Sequence, residues 1–311
     1  MITFSIIQGA PRLQLRRRAN EGCPPVLYIH GATFPSALSV AYRFADGAAW
    51  EDSLHDAGFD AWALDFEGFG GSDRPQAFDR APGDSAIVLR STDAVRQIAR
   101  AVQHVLAATS RARLSIIAHS WGGIPAARFT AEQGAQVDRL VLFAPVTCRR
   151  HPAASGASRG NGAVDAGSFP AWRTVTVAEQ RARFVADTPE GEAGVLAEPT
   201  LDRWGSAWLA TDQEASARIP PAVKVPAGPQ ADIATTWMGT DLYDPALLEG
   251  DILFVRGDWD SVSSALDAET FASRAHRARV RKATIPRSGH LAHLETNRAV
   301  LWSTVDAFLR R

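Results

Sequence analysis

Lysine is nearly absent from these 311 residues: Lys224 and Lys282 are the only two. Neither sits in an apolar context that would lower its pKa, so the chain offers no candidate for Schiff-base chemistry. Cysteine is equally scarce, and Cys23 and Cys148 cannot build a disulfide framework by number. In the alternating fold described below, one precedes a parallel strand and the other follows one, at opposite ends of a sheet. Strands of ordinary length hold such positions roughly 17 to 20 Å apart, whereas a disulfide needs Cα atoms within about 7 Å. Both thiols are expected unbridged, in agreement with a reducing compartment.

No uninterrupted apolar run approaches the roughly 20 residues that a membrane helix needs. The segment from Met1 to Ile7 has no charged region ahead of its apolar residues and no small-residue cleavage site after them, so no signal peptide is read and a soluble, cytoplasmic protein is expected. Charge of one sign is missing as well. The formal net charge is -1, which leaves no electrostatic footprint for nucleic acid or an acidic membrane. The run Arg16-Arg17-Arg18 reads as a solvated strand end. With 46% hydrophobic and 22% charged residues the composition is globular, and the length suits one core with a large insertion.

Organisation along the chain is legible from periodicity. Residues from about Ile2 to Arg17 suggest two antiparallel strands turning at Gly9-Ala10-Pro11. Short apolar runs (26–30, 61–65, 114–118, 140–143) then alternate with amphipathic stretches: 49–57, a helix capped by Thr92, and 124–133. Alternation of this kind predicts an α/β fold, a mostly parallel sheet flanked by helices. The rhythm stops at Arg149. A Gly/Ser/Ala loop (Ala153 to Ser168) and helix-like segments at 178–186, 201–217 and 231–238 follow, and the strand-helix rhythm resumes at Asp251. The expected division is a core of 1–148 and 249–311 with a helical cap inserted at 149–248.

Chemistry concentrates where strands end. Ala118-His119-Ser120-Trp121-Gly122-Gly123 lies directly between a strand and a helix. A sharp strand-to-helix turn strains its central residue and leaves the Ser120 hydroxyl raised above the sheet, provided its neighbours are small. Serine alone is a poor nucleophile and needs a base and an orienting acid. Functional groups in an open α/β sheet gather beyond the carboxyl ends of the strands. There the sequence offers Asp258 and Asp260 after one strand, and His290 and His293 after the next. Alternation alone selects neither acid. The two histidines could also suggest a metal pair, but no third ligand set lies nearby in sequence. The glycines Gly68, Gly70 and Gly71 open no helix with a dinucleotide fingerprint, which argues against a phosphate cradle.

On these residues the chain resembles the α/β-hydrolase superfamily, and specifically its lid-bearing, esterase-like serine hydrolases. His30-Gly31 stands where that family makes its oxyanion hole, and the stretch from Asp65 to Pro75 is similar to its D-x-x-G-x-G-x-S loop. The resemblance implies Ser120 as nucleophile, His290 as base and Asp260 as orienting acid, in the chain order Ser, Asp, His. It also implies an oxyanion hole from the backbone N–H groups of Ala32 and Trp121, with no metal or organic cofactor. His30 reads as a structural residue under the site, His119 as packed or wall-forming beside the nucleophile, and His151 as a pocket-lining candidate. A serine at the elbow separates the chain from dehalogenases and epoxide hydrolases, which use aspartate there.

The activity so implied is carboxylic ester hydrolysis through an acyl-enzyme. Lactone, thioester, amide or peptide, and C–C bond hydrolysis remain alternatives on the same triad, and a ligand-binding receptor or scaffold is the alternative of another class. His30-Gly31-Ala32-Thr33 departs from the Gly-Pro-Gly loop of proline iminopeptidases, which weakens the peptidase and C–C hydrolase readings. Trp172, Trp204, Trp208 and Trp237 fall in the insertion. Trp204, Trp208 and Trp237 are expected to line an apolar pocket for a small-molecule substrate with a hydrophobic acyl or alcohol group.

Overall fold

Unbroken apolar runs build the middle of the sheet. In the computed structural model, which describes residues 1–149, 169–196 and 198–311, strands β3 (Pro25–Ile29), β4 (Asp60–Leu64) and β5 (Leu114–His119) are buried at every position. Burial on both faces is what helices on either side of a parallel sheet impose. β1 (Ile2–Ile7) and β10 (Ala278–Ile285) alternate in exposure and lie at the edges, and β2 (Leu13–Arg18), β6 (Val137–Phe143) and β9 (Gly250–Gly257) complete the eight. Their order is β1-β2-β4-β3-β5-β6-β9-β10. β2 runs antiparallel to both its neighbours, while every pair from β4 to β10 is parallel. The carboxyl ends of β3, β5, β9 and β10 therefore open on one edge of the sheet.

Helices α1 (Trp50–Asp56) and α7 (Arg298–Leu309) pack on each other, as do α2 (Ser91–Thr109) and α3 (Gly123–Gln133). α2 buries Ile98, Val102 and Val105 along one stripe. Its start differs from the sequence expectation. Thr92 lies inside the first turn, and carboxylates satisfy the helix end: Asp93 accepts from the Arg90 N–H at 3.1 Å, and Asp232 from the Ser91 N–H at 2.6 Å.

The arginine run is paired rather than solvated. Successive strand residues point to opposite faces. Arg16 and Arg18 accordingly meet Glu51 (2.6 Å) and Asp52 (2.9 Å) on α1, while Arg17 meets Asp60 (2.9 Å).

Between β6 and β9 the described residues hold α4 (Val177–Val185), α5 (Glu198–Leu209) and α6 (Gly228–Trp237), together with two strands that sequence analysis did not anticipate. β7 (Trp172–Thr176) and β8 (Ala222–Pro226) pair antiparallel. Their Thr174, Val175, Thr176, Val223 and Val225 are β-branched and favour extended backbone. The helix expected over 201–217 stops at Leu209 because the buried Asp212 carboxylate gathers the backbone N–H groups of Glu214 (3.1 Å) and Lys224 (2.9 Å) and the Arg218 guanidinium (2.7 Å). The Gly/Ser/Ala loop and His151 lie outside the described residues. Cys23 and Cys148 are not disulfide-bonded. Among the described residues no helix is long and apolar enough to cross a membrane.

Candidate active site

Ser120 sits at the tip of a hairpin-sharp turn from β5 into α3, with φ at +55°. A left-handed conformation strains any residue with a Cβ and is tolerated where the surroundings enforce it. Two neighbouring contacts do so. A Cβ on Gly122 would lie 2.4 Å from the His30 carbonyl oxygen, and one on Gly31 would lie 3.3 Å from the Ser120 Cβ. Glycine is thus required at position 122 for the end of β3 to press against the turn, which brings the Gly31-Ala32 backbone beside Ser120. His30 is fully buried below them. Its Nε2 accepts from the Phe66 N–H (3.2 Å) and its Nδ1 donates to the Gly31 carbonyl (2.8 Å), the neutral tautomer of a structural histidine.

Three side chains from three strand ends meet at this point. His290 Nε2 lies 2.8 Å from Ser120 Oγ, and His290 Nδ1 lies 3.1 Å from both Asp260 oxygens. Asp260 is held in place by the N–H groups of Val262 (2.9 Å) and Ser263 (3.0 Å), which donate to its Oδ1. The loops after β9 and β10 approach so closely that a Cβ on Gly257 would lie 2.1 Å from the Ser288 carbonyl oxygen. Asp258 takes a different part. It is exposed, and its carboxylate accepts from the Ser288 N–H (3.0 Å), pinning the loop that carries His290.

His293 is not brought to Ser120. Its Nε2 lies 3.0 Å from Ser39 Oγ, which also bonds Tyr28, and its ring packs among Phe34, Trp50, His119 and Phe143. Burial, reinforced by His290, pulls the His293 pKa down to about 3, and burial likewise holds His119 well below the ordinary histidine value. Both rings stay neutral at pH 7. Among the described residues no group of three or more His, Cys, Asp or Glu is placed to hold a metal ion.

Glu295 is a residue the sequence reading missed, although an acid directly after Leu291-Ala292-His293-Leu294 was a signal. It is fully buried, and its two oxygens accept from the Gly289 N–H at 3.2 and 2.9 Å, one residue before His290. Burial pushes its carboxyl from the ordinary 4.5 up to about 7. The unfolded chain ionises this group near pH 4.5 and the folded chain only near pH 7, so the protein loses stability as pH rises between those values. The loss relative to Glu295→Gln is expected to reach about 3 kcal/mol. Melting temperatures of both proteins at pH 4.5 and 8 test this: the gap should widen in favour of the glutamine protein at pH 8, and an unchanged gap contradicts it.

A cavity of about 330 Å³ opens over Ser120 and His290. Its floor is Gly31, Ala32, Thr33, Phe34 and His119, and its roof comes from β7, α4 and α6. The roof is tied down by Asp187, which accepts from Ser261 Oγ (2.5 Å) and Arg183 Nη1 (3.2 Å). Of the tryptophans expected in the pocket, Trp237 lines it. Trp204 and Trp208 do not: each is at most 1% exposed, donating its indole N–H to the carbonyl of Leu38 (2.9 Å) and of Thr33 (3.2 Å) respectively. Trp204 stands edge-on behind Phe34 and Phe184, and those two rings form the apolar wall. The lining is largely apolar, as expected, but Arg173, Glu179, Gln180, Arg183 and Gln230 share it.

A parallel sheet with flanking helices and a serine elbow at its carboxyl edge defines the α/β-hydrolase class of enzymes. Within it, residues 43–219 match the family described as serine aminopeptidase, S33, and the chain belongs to that family. No curated protein sequence matches it. Solved structures share the fold at low identity. The 2-hydroxy-6-oxo-6-phenylhexa-2,4-dienoate hydrolase of a Rhodococcus species is 16% identical over 100% of both chains, with a TM-score of 0.63. An epoxide hydrolase from Vigna radiata is 12% identical over 99% of this chain and 98% of that one, with a TM-score of 0.67. Est1E from Butyrivibrio proteoclasticus, solved with ferulic acid, is 17% identical over 98% of each chain, with a TM-score of 0.57.

Proposed function

We propose that the protein is a serine hydrolase that cleaves a carboxylic ester through an acyl-enzyme on Ser120. The observation that carries this reading is the unbroken hydrogen-bonded series Ser120 Oγ, His290 Nε2, His290 Nδ1, Asp260. His290 takes the Ser120 proton as the hydroxyl oxygen attacks the acyl carbon, then gives it to the departing alkoxide; water later attacks the acyl-enzyme by the same route. Asp260 keeps the Nδ1 proton on the imidazole and balances its positive charge. The backbone N–H groups of Ala32 and Trp121 hold the developing oxyanion, a role supported by the convergence of β3 and the elbow. A preorganised donor of this kind contributes roughly 3 to 4 kcal/mol in the transition state. Within the insertion, β7, α4 and α6 act as a cap over the cavity that limits water during acyl transfer.

Amide hydrolysis is the second reading, favoured by the description of the family that residues 43–219 match. Glu179 on the cavity lining is the group that could receive a free α-ammonium. A matched panel separates the two. Purified protein is expected to hydrolyse p-nitrophenyl butyrate at least about a hundredfold faster than the p-nitroanilides of butyrate and of alanine. Faster turnover of alanine p-nitroanilide would replace the esterase reading with the aminopeptidase one.

A further inference from the structure

Three side chains in the roof of the cavity carry N–H groups that find no acceptor among the described residues. Arg173 Nε, Gln180 Nε2 and Arg183 Nη2 are each buried there without a hydrogen-bond partner, and all three residues line the cavity over Ser120. Their grouping follows from periodicity. Arg173 and Val175 share one face of β7, and Gln180, Arg183 and Phe184 share one face of α4. Gln180 is only 4% exposed.

An unsatisfied buried donor costs about 1 to 3 kcal/mol, and folded chains rarely leave several in one wall. The cost is greatest at Arg173. Among the described residues no carboxylate forms an ion pair with it, Glu179 acts on it only at longer range, and burial pulls its pKa down. A partly buried charge left unpaired is costly to hold.

All three groups are donors, so the atoms they lack are acceptors, and two guanidiniums call for negative charge. Glu179 and Asp187 already offset part of theirs, which makes one added charge a better balance than two. A carboxylate meets these terms: it is planar, singly charged and accepts from guanidinium donors in paired geometry.

We propose that Arg173, Gln180 and Arg183 form a carboxylate subsite, so that the substrate is an ester or related acyl compound bearing a free carboxylate on the part that reaches the roof. For its reaction this rests on the acyl-transfer reading; for binding it does not.

Two measurements test it. The first compares mono-p-nitrophenyl glutarate with p-nitrophenyl butyrate. The wild-type kcat/KM should favour the carboxylate ester at least about tenfold, and Arg173→Met or Gln180→Leu should each cut that ratio several-fold. Hydrolysis of both esters with no preference, or a preference untouched in folded variants, overturns the subsite and leaves acyl transfer standing. The second uses Ser120→Ala protein and calorimetry. Monomethyl glutarate should bind at least about tenfold tighter than dimethyl glutarate, and Arg173→Met in the same background should remove the difference. Equal binding overturns the subsite whatever the chemistry proves to be. Absence of hydrolysis with selective monoester binding retains the subsite and counts against the acyl-transfer reading instead.

Discussion

Ser120→Ala is expected to fold with an unchanged melting temperature and to lose about 10⁴-fold or more in kcat on any ester the wild type turns over, because triad members act as a unit. The side chain makes its one hydrogen bond to His290 and stands at a turn whose shape is imposed by Gly122 and the end of β3, so no core is disturbed. Stopped assays at high enzyme concentration would measure the residual rate. A folded variant that kept more than about a tenth of the wild-type kcat would remove Ser120 from the mechanism.

The second large effect separates neighbours that the sequence could not. Asp260→Asn should lower kcat by up to about 10⁴-fold, since an amide beside Nδ1 favours the wrong imidazole tautomer. Asp258→Asn should cost far less, because its bond goes to the Ser288 N–H and an asparagine carbonyl can still accept it. Likewise His290→Ala should abolish turnover. His293→Ala should chiefly destabilise, by removing a ring from the cluster of Phe34, Trp50, His119 and Phe143. Thermal melts beside kinetics for all four variants decide the assignment. A reversed ranking within either pair would move the acid to Asp258 or the base to His293.

These contrasts mark where sequence reading succeeds and where it stops. The core was legible because its signals are local: apolar runs, amphipathic periods and a small-residue turn each lie within a few residues of one another. Ser120, the acid pair and the histidine pair followed from the rule that strand ends gather on one edge. Choosing within each pair required distances, since residues two or three apart can reach the same point. The roof was the hard part. β7 and β8 are separated by two helices in the sequence, so their pairing left no local pattern, and nothing in the sequence marked Arg173, which shares the cavity over Ser120 with Val175 and α4. Trp204 and Trp208 misled for the opposite reason. Their size argued for the pocket, whereas their indole N–H groups are spent on carbonyls one layer behind it.

The acyl-enzyme claim is tested most directly by reacting the purified protein with an alkyl fluorophosphonate and locating the adduct by peptide mass spectrometry. One equivalent is expected, on Ser120, with no adduct in Ser120→Ala and much slower labelling in His290→Ala, which lacks the base that activates the hydroxyl. An unlabelled wild-type protein, or stoichiometric labelling of a different serine, would contradict the assignment of Ser120 as an activated nucleophile.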